Sequence, residues 1–182
     1  IYTVPVSDPV FGQTSFPDVL SLADTTSLDR VAAMRLALVP LGEPGSGRSV
    51  AVEMVSSQFF NVLGVRPVRG RLFSESETRP GQAEHVAVVS YEYWQRSLQG
   101  RDDAIGQTIR LDGQTFTIIG VGPEGLKSRL AEMSIAGWVP TGLPGGFYHA
   151  TDQEIRDRAD REYAVLARAR PGYSVDQVSA EL

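Results

Sequence analysis

Residues 107–125, QTIRLDGQTFTIIGVGPEG, admit two readings that lead to different folds. The second half is an apolar strand running into Gly120-x-Gly122-x-x-Gly125, the glycine spacing of a dinucleotide-binding fingerprint. In that motif the backbone approaches a pyrophosphate that rests on the N-terminus of the next helix. The first half places Asp112-Gly113 between two alternating runs, the signature of a type I′ hairpin. Ile109 and Leu111 then share a face with Phe116 and Ile118. A dinucleotide site also needs a crossover helix returning to a parallel strand. LKSRLAEM, after Gly125, spans only about two turns before SIAGWVP reads as strand again. No acid ends the next strand to take a ribose hydroxyl. The hairpin governs: Gly120, Gly122 and Pro123 turn the chain away from its second strand, and no cofactor is expected.

Working outward, Ser15 and Asp18 form a capping-box-like pair opening a helix whose apolar side is Phe16, Val19, Leu20 and Ala23. RVAAMRLALV and SVAVEMV, joined by the turn-rich PLGEPGSGR, predict a second hairpin. SSQFFNVLG reads as a serine-capped short helix ended by Gly64. The polar SESETRPGQAEH reads as an extended loop before the strand VAVVS. Ser90 then caps a helix with Tyr91, Trp94 and Leu98 at helical spacing and Gly100 as its stop. The strand YAVLARAR leads through Pro171-Gly172 to a last helix with Ser174 and Gln177 as capping box. Helices alternating with hairpins rather than regular βαβ units predict an α+β fold with mixed or antiparallel sheets and short helices.

Composition bounds the function. A chain of 182 residues with 42% hydrophobic and 21% charged residues can bury a substantial core without a disulfide or metal staple. The net charge of −5 and the absence of any Lys/Arg run disfavour nucleic acid and anionic membrane as partners. Lys127 is the only lysine, and there is no cysteine, which removes thiol chemistry and Cys-ligated zinc. No apolar run approaches the roughly 18 residues that span a bilayer. The chain opens without Met and closes on an apparently shortened helix, so it reads as a piece cut from a longer protein.

The candidate chemistry is sparse. His85 and His149 belong to no ligand spacing, so no metal site is expected. Ser90 sits at a strand-to-helix junction but lacks the flanking glycines of a nucleophile elbow. The acid pairs Glu75/Glu77 and Asp102/Asp103 lie in polar stretches where carboxylates are ordinarily solvated. Arg66, Arg69 and Arg71 invite a phosphate clamp but suit a solvated face with a structural ion pair. Of Tyr91, Tyr93 and Trp94, helical spacing leaves Tyr93 as the exposed ring. No catalytic, cofactor-binding or metal-binding residue is assigned, and the residues point to a binding or interaction module rather than an enzyme.

Several of these stretches recur together in one family. VSSQFFNVLGVRPVRGRLFSESE (55–77), VAVVSYEYWQRSLQG (86–100), AIGQTIRLDGQTFTIIGVGPEG (104–125) and WVP (138–140) resemble, in order, the periplasmic core domain of MacB-type ABC transporter permeases, within the MacB/FtsX-like permease family. The flanking SFPDVLSLADTTSLDRVAAM and YAVLARARPGYSVDQVSAEL are similar to the family's outer segments, so the resemblance covers about residues 15–182. It implies a two-subdomain extracytoplasmic domain: a discontinuous porter-like subdomain from residues 1–56 and 160–182, and an inserted subdomain over 57–159. It further implies attachment through transmembrane helices absent from this chain. The domain would engage a periplasmic adaptor protein or exported cargo in transport or efflux, driven by ATP bound to a separate ATPase domain or subunit. The Thr141–Glu162 stretch has no firm counterpart in the family pattern. The alternative is a free-standing extracytoplasmic domain binding a small molecule or peptide.

Overall fold

Asp112 and Gly113 both adopt positive φ, 49° and 74°, the type I′ geometry that the sequence demands. They join two strands in register, with Ile109 opposite Phe116 and Leu111 opposite Gln114. The computed structural model of the chain describes residues 2–3, 14–45, 47–128, 133–145, 147–148, 151 and 153–181. In chain order its elements are β1 (Tyr2–Thr3), α1 (Phe16–Leu22), β2 (Leu28–Pro40), β3 (Ser49–Val55), α2 (Phe59–Leu63), β4 (Arg69–Gly70) and β5 (Val86–Val89). Then come α3 (Tyr91–Ser97), β6 (Thr108–Leu111), β7 (Gln114–Val121), β8 (Gly137–Pro140), β9 (Ala164–Ala169) and α4 (Val175–Glu181). The architecture is α+β, with few short helices on one mixed sheet.

The strands run β1-β9-β2-β3-β8-β5-β7-β4, and β6 shares one edge of β7 with β4. β2 and β3 form the long antiparallel hairpin read from the sequence. The strands from residues before 56 and after 160 are contiguous, as are those between. The two blocks meet where β3 pairs in parallel with β8, Val52 opposite Gly137. At its far end β2 bends over the other hairpin: Leu41 lies opposite Leu111, and the Asp112 amide donates to the Pro40 carbonyl at 2.8 Å. The sheet thus curls back on itself around one apolar cluster, to which Val39, Val52, Trp94, Phe116, Ile118 and Val139 belong. A second cluster, including Met34, Phe59, Phe60, Val86 and Trp138, fills the opposite face beneath α2. A third joins α1 and α4 to β2 and β9 through Phe16, Val31, Tyr163 and Val178.

The helix boundaries follow the capping chemistry with one exception. The Asp18 amide donates to the Ser15 hydroxyl at 3.2 Å, and Ser174 and Gln177 exchange reciprocal bonds of 2.8 and 3.2 Å. The expected serine cap of α2 is absent. Ser56 Oγ instead accepts from the Ala33 amide at 3.0 Å, which fastens the end of β3 to β2, and α2 starts without a side-chain cap. SESETRPGQAEH is not wholly extended, because Ser76–Thr78 form a 3₁₀ turn.

Gly120 and Gly122 answer to packing. A Cβ on Gly120 would stand 2.0 Å from the Arg71 carbonyl oxygen, because β4 crosses directly against β7 there. A Cβ on Gly122 would meet the Trp138 ring at 2.6 Å. Gly125 has open space and only a positive φ of 74° to protect. Residues 126–128 after it are not helical, and residues 129–132 of the expected short helix lie outside the described residues. Urea unfolding is expected to rank the alanine variants. Gly120→Ala loses more than about 3 kcal/mol, Gly122→Ala about 1–3 kcal/mol from overpacking, and Gly125→Ala about 1–2 kcal/mol from backbone strain. A largest loss at Gly125 contradicts the packing role.

Candidate functional site

The residues singled out from the sequence disperse into structural roles. Ser90 is buried, its hydroxyl donating to the Ile135 carbonyl at 2.6 Å and accepting the Tyr93 amide at 3.1 Å, so it caps α3 and anchors the approach to β8. His85 faces Gln114 Oε1 at 2.9 Å and packs its ring on Phe116. His149 lies outside the described residues. Among those described, no three His, Cys, Asp or Glu side chains converge to hold a metal. Asp102 pairs with Arg69 at 3.1 Å, and Asp103 with Arg101. The hydrogen bonds from Arg101 hold the Asp103 carboxyl below its ordinary range. Trp94 is core, its indole donating to the Arg101 carbonyl at 2.8 Å. Tyr93 is half-buried rather than exposed, and desolvation pushes its phenol up.

Glu77 departs most from expectation. It is buried, whereas its polar stretch predicts a solvated carboxylate. Arg71 donates to both of its oxygens at 2.6 and 2.7 Å, and the Ser74 amide and hydroxyl add bonds of 2.8 and 2.7 Å. The Arg71 bonds foremost, against the opposing cost of burial, hold its carboxyl at about 2. Arg71 and Glu77 stand six residues apart in the sequence, and the 3₁₀ turn brings them together.

Two buried polar groups carried no local signal. Glu53, on β3, is fully buried; Ser128 Oγ donates to one of its oxygens at 2.6 Å and the Trp138 indole to the other at 2.9 Å. It ties the β7–β8 connection and β8 to β3. Arg35, on β2, is buried between the first and third apolar clusters and reaches Glu162 at 3.4 Å.

What the surface offers is grooves. One of about 310 Å³ runs between α3 and the start of β3, lined by Leu38, Val50, Tyr93, Arg96, Met133 and Ile135 among others. Another of about 240 Å³ lies beside α1, lined by Phe16, Leu20, Gln58, Thr78 and Arg79 among others. The large apolar side chains that stay exposed favour the first, since Leu38 (59%) and Met133 (40%) both line it while Leu20 (56%) alone lines the second. The arrangement can seat apolar and polar groups.

The whole chain, residues 1–182, matches the model of the MacB-like periplasmic core domain, and the chain belongs to that family. Over 144 residues it is 29% identical to a probable export ATP-binding/permease protein of Pseudomonas fluorescens (strain Pf0-1), a match covering 72% of this chain and 22% of that protein. Over 129 residues it is 27% identical to the probable export ATP-binding/permease protein MacB of Pseudomonas entomophila (strain L48), covering 68% and 19%. The matches thus span only about a fifth of these relatives. The fold is similar to the periplasmic region of MacB from Actinobacillus actinomycetemcomitans, with a TM-score of 0.64 at 15% identity over 91% of this chain and 69% of that one. It is equally similar to the extracellular domain of the noncanonic ABC-type transporter YknZ from Gram-positive bacteria, with a TM-score of 0.64 at 17% identity over 99% and 86%. None of the described helices is long and apolar enough to cross a membrane.

The Arg71–Glu77 pair yields a pH signature. A carboxyl lowered from 4.5 to about 2 contributes stability that is complete above pH 4.5 and is lost as the pH falls toward 2. Glu77→Gln is expected to lose about 1–3 kcal/mol at neutral pH, with the gap from the unsubstituted chain closing across that acid window in urea titrations. A gap that stays constant with pH contradicts the ion pair's contribution.

Proposed function

We propose that the chain is a noncatalytic extracytoplasmic domain that couples ATP-driven motion of its parent export permease to a periplasmic adaptor protein or to cargo. In this reading transmembrane helices outside the chain anchor it, and ATP acts on a separate ATPase domain or subunit of the parent. Residues 1–56 and 160–182 form the membrane-proximal, porter-like unit, and 57–159 form the inserted unit that reaches the partner.

One observation carries the proposal. The first and last parts of the described chain are neighbours: Tyr2 lies opposite Ala167 in the β1–β9 pair, β9 pairs in turn with β2, and the Glu181 carboxylate accepts from the Thr26 and Ser27 amides at 2.8 and 2.9 Å. A domain hung from two successive membrane spans needs its two ends at one corner. From that corner the hydrogen-bonded sheet continues without a break into the strands of 57–159, a stiff path along which displacement of the membrane helices is passed outward.

The test is to replace residues 1–182 in the parent transporter by a short flexible linker and reconstitute it in vesicles. Retained ATP hydrolysis with loss of export is the expected result. Export at the level of the intact transporter contradicts it.

A further inference from the structure

We propose that the groove between β3 and α3 is a strand-acceptor slot, which takes up an extended peptide segment of a partner protein beside Ser49–Ala51. The phase of the β2–β3 ladder sets this up. The Leu41 amide donates to the Arg48 carbonyl and the Ser56 amide to the Ala33 carbonyl. Val50, Val52 and Met54 therefore exchange hydrogen bonds with β2, while Ser49, Ala51, Glu53 and Val55 turn theirs the other way. β8 uses that other side, with the Ala136 amide donating to Ala51 at 2.7 Å and the Thr141 amide to Val55 at 3.0 Å. Its ladder begins only at Val52 opposite Gly137. Among the described residues no strand lies beside Ser49, whose amide and carbonyl face the groove as the open end of a sheet edge. Such an edge is a template for an added strand.

The walls say what the added strand carries. On one face of the sheet the groove is bounded by Val50, Tyr93 and Ala136, all packed with the first apolar cluster. Glu92 and Arg96 stand above them on α3, one helical turn or about 6 Å apart, and neither forms an ion pair with a described side chain. On the other face Leu38, directly opposite Ala51, and Met133 present exposed apolar surface. Residues two apart on a strand lie on one face about 7 Å apart, which matches the Glu92–Arg96 spacing. The fitting segment has a cation and an anion two positions apart, with an apolar residue between them that drops toward Leu38 and Met133. A second copy of the chain does not fit, because the open edge is about 10 Å long and recessed between β3 and α3, far short of a stable dimer's contact. The slot's occupancy is independent of how the parent moves the domain, so it is tested on the 182-residue chain alone.

The probes are three capped pentapeptides, Thr-Lys-Val-Glu-Thr, Thr-Glu-Val-Lys-Thr and the uncharged Thr-Ser-Val-Ser-Thr, titrated into ¹⁵N-labelled chain. The expected result is that one charged order shifts the Ser49 and Ala51 amides, slows exchange of the Ser49 amide, and binds at least about tenfold tighter than the uncharged peptide. Leu38→Asp, at an exposed side chain, and Ser49→Pro, which removes the edge donor, are each expected to weaken that binding about tenfold or more. Ser49→Ala leaves it unchanged. The proposal is overturned if no peptide moves those amides at millimolar concentration, or if binding survives both Leu38→Asp and Ser49→Pro.

Discussion

The parallel pairing of β3 with β8 is the constraint on which the rest of the sheet depends. On one side of it lie the strands contributed by the two ends of the chain, on the other those of its middle, and apart from the Leu41–Leu111 bridge this ladder is where the two sets of strands hydrogen-bond. On its other edge β8 can take β5 only because Gly137 has no side chain: a Cβ there would stand 2.3 Å from the Val88 carbonyl oxygen. Glu53 reinforces the β3–β8 ladder from below by holding Trp138 of β8 and Ser128 of the preceding connection. Replacing that carboxylate by an apolar group would leave the buried Trp138 N–H without its acceptor, a desolvation cost that a buried donor cannot escape.

Local chemistry in the sequence specified local structure well. Asp112-Gly113, the Ser90 cap, the Ser174/Gln177 box and the β2–β3 hairpin each rest on residues within a few positions of one another, and each forms as read. Long-range structure was not legible in this way. Nothing in WVP indicates that it pairs with a strand some 85 residues earlier, and nothing near Ser56 indicates that its hydroxyl serves Ala33 rather than α2. Glu53 misleads for a related reason. In SVAVEMV a polar residue in alternation suggests an outward face, but α2 and the β7–β8 connection cover that face too. Glu77 shows the same limit, since its polar neighbours describe a loop and say nothing of the arginine that neutralises it.

The stretches that carry the family likeness map almost entirely onto this framework. Gly64, Gly70, Ser90, Gly113, Gly120 and Gly122 cap helices, turn strands or admit close approaches, and Trp94 and Trp138 fill the core. The family is recognisable because these residues build the scaffold, while exposed apolar positions such as Leu38 and Met133 lie outside the stretches that carry the likeness. The strongly shifted carboxyl, Glu77, is saturated by Arg71 and Ser74, and the grooves mix apolar side chains with serines and scattered charges.

The central claim is that this sheet works outside the cytoplasm as part of a membrane permease. Residues 1–182 contain no cysteine, so one introduced thiol marks the domain once any cysteines elsewhere in the parent transporter are replaced by serine. Thr115, exposed on β7, is replaced by Cys in the parent transporter, and intact spheroplasts are treated with a membrane-impermeant maleimide. Labelling before lysis is the outcome this account requires. Labelling that appears only once the membrane is opened would put the domain on the cytoplasmic side and contradict it.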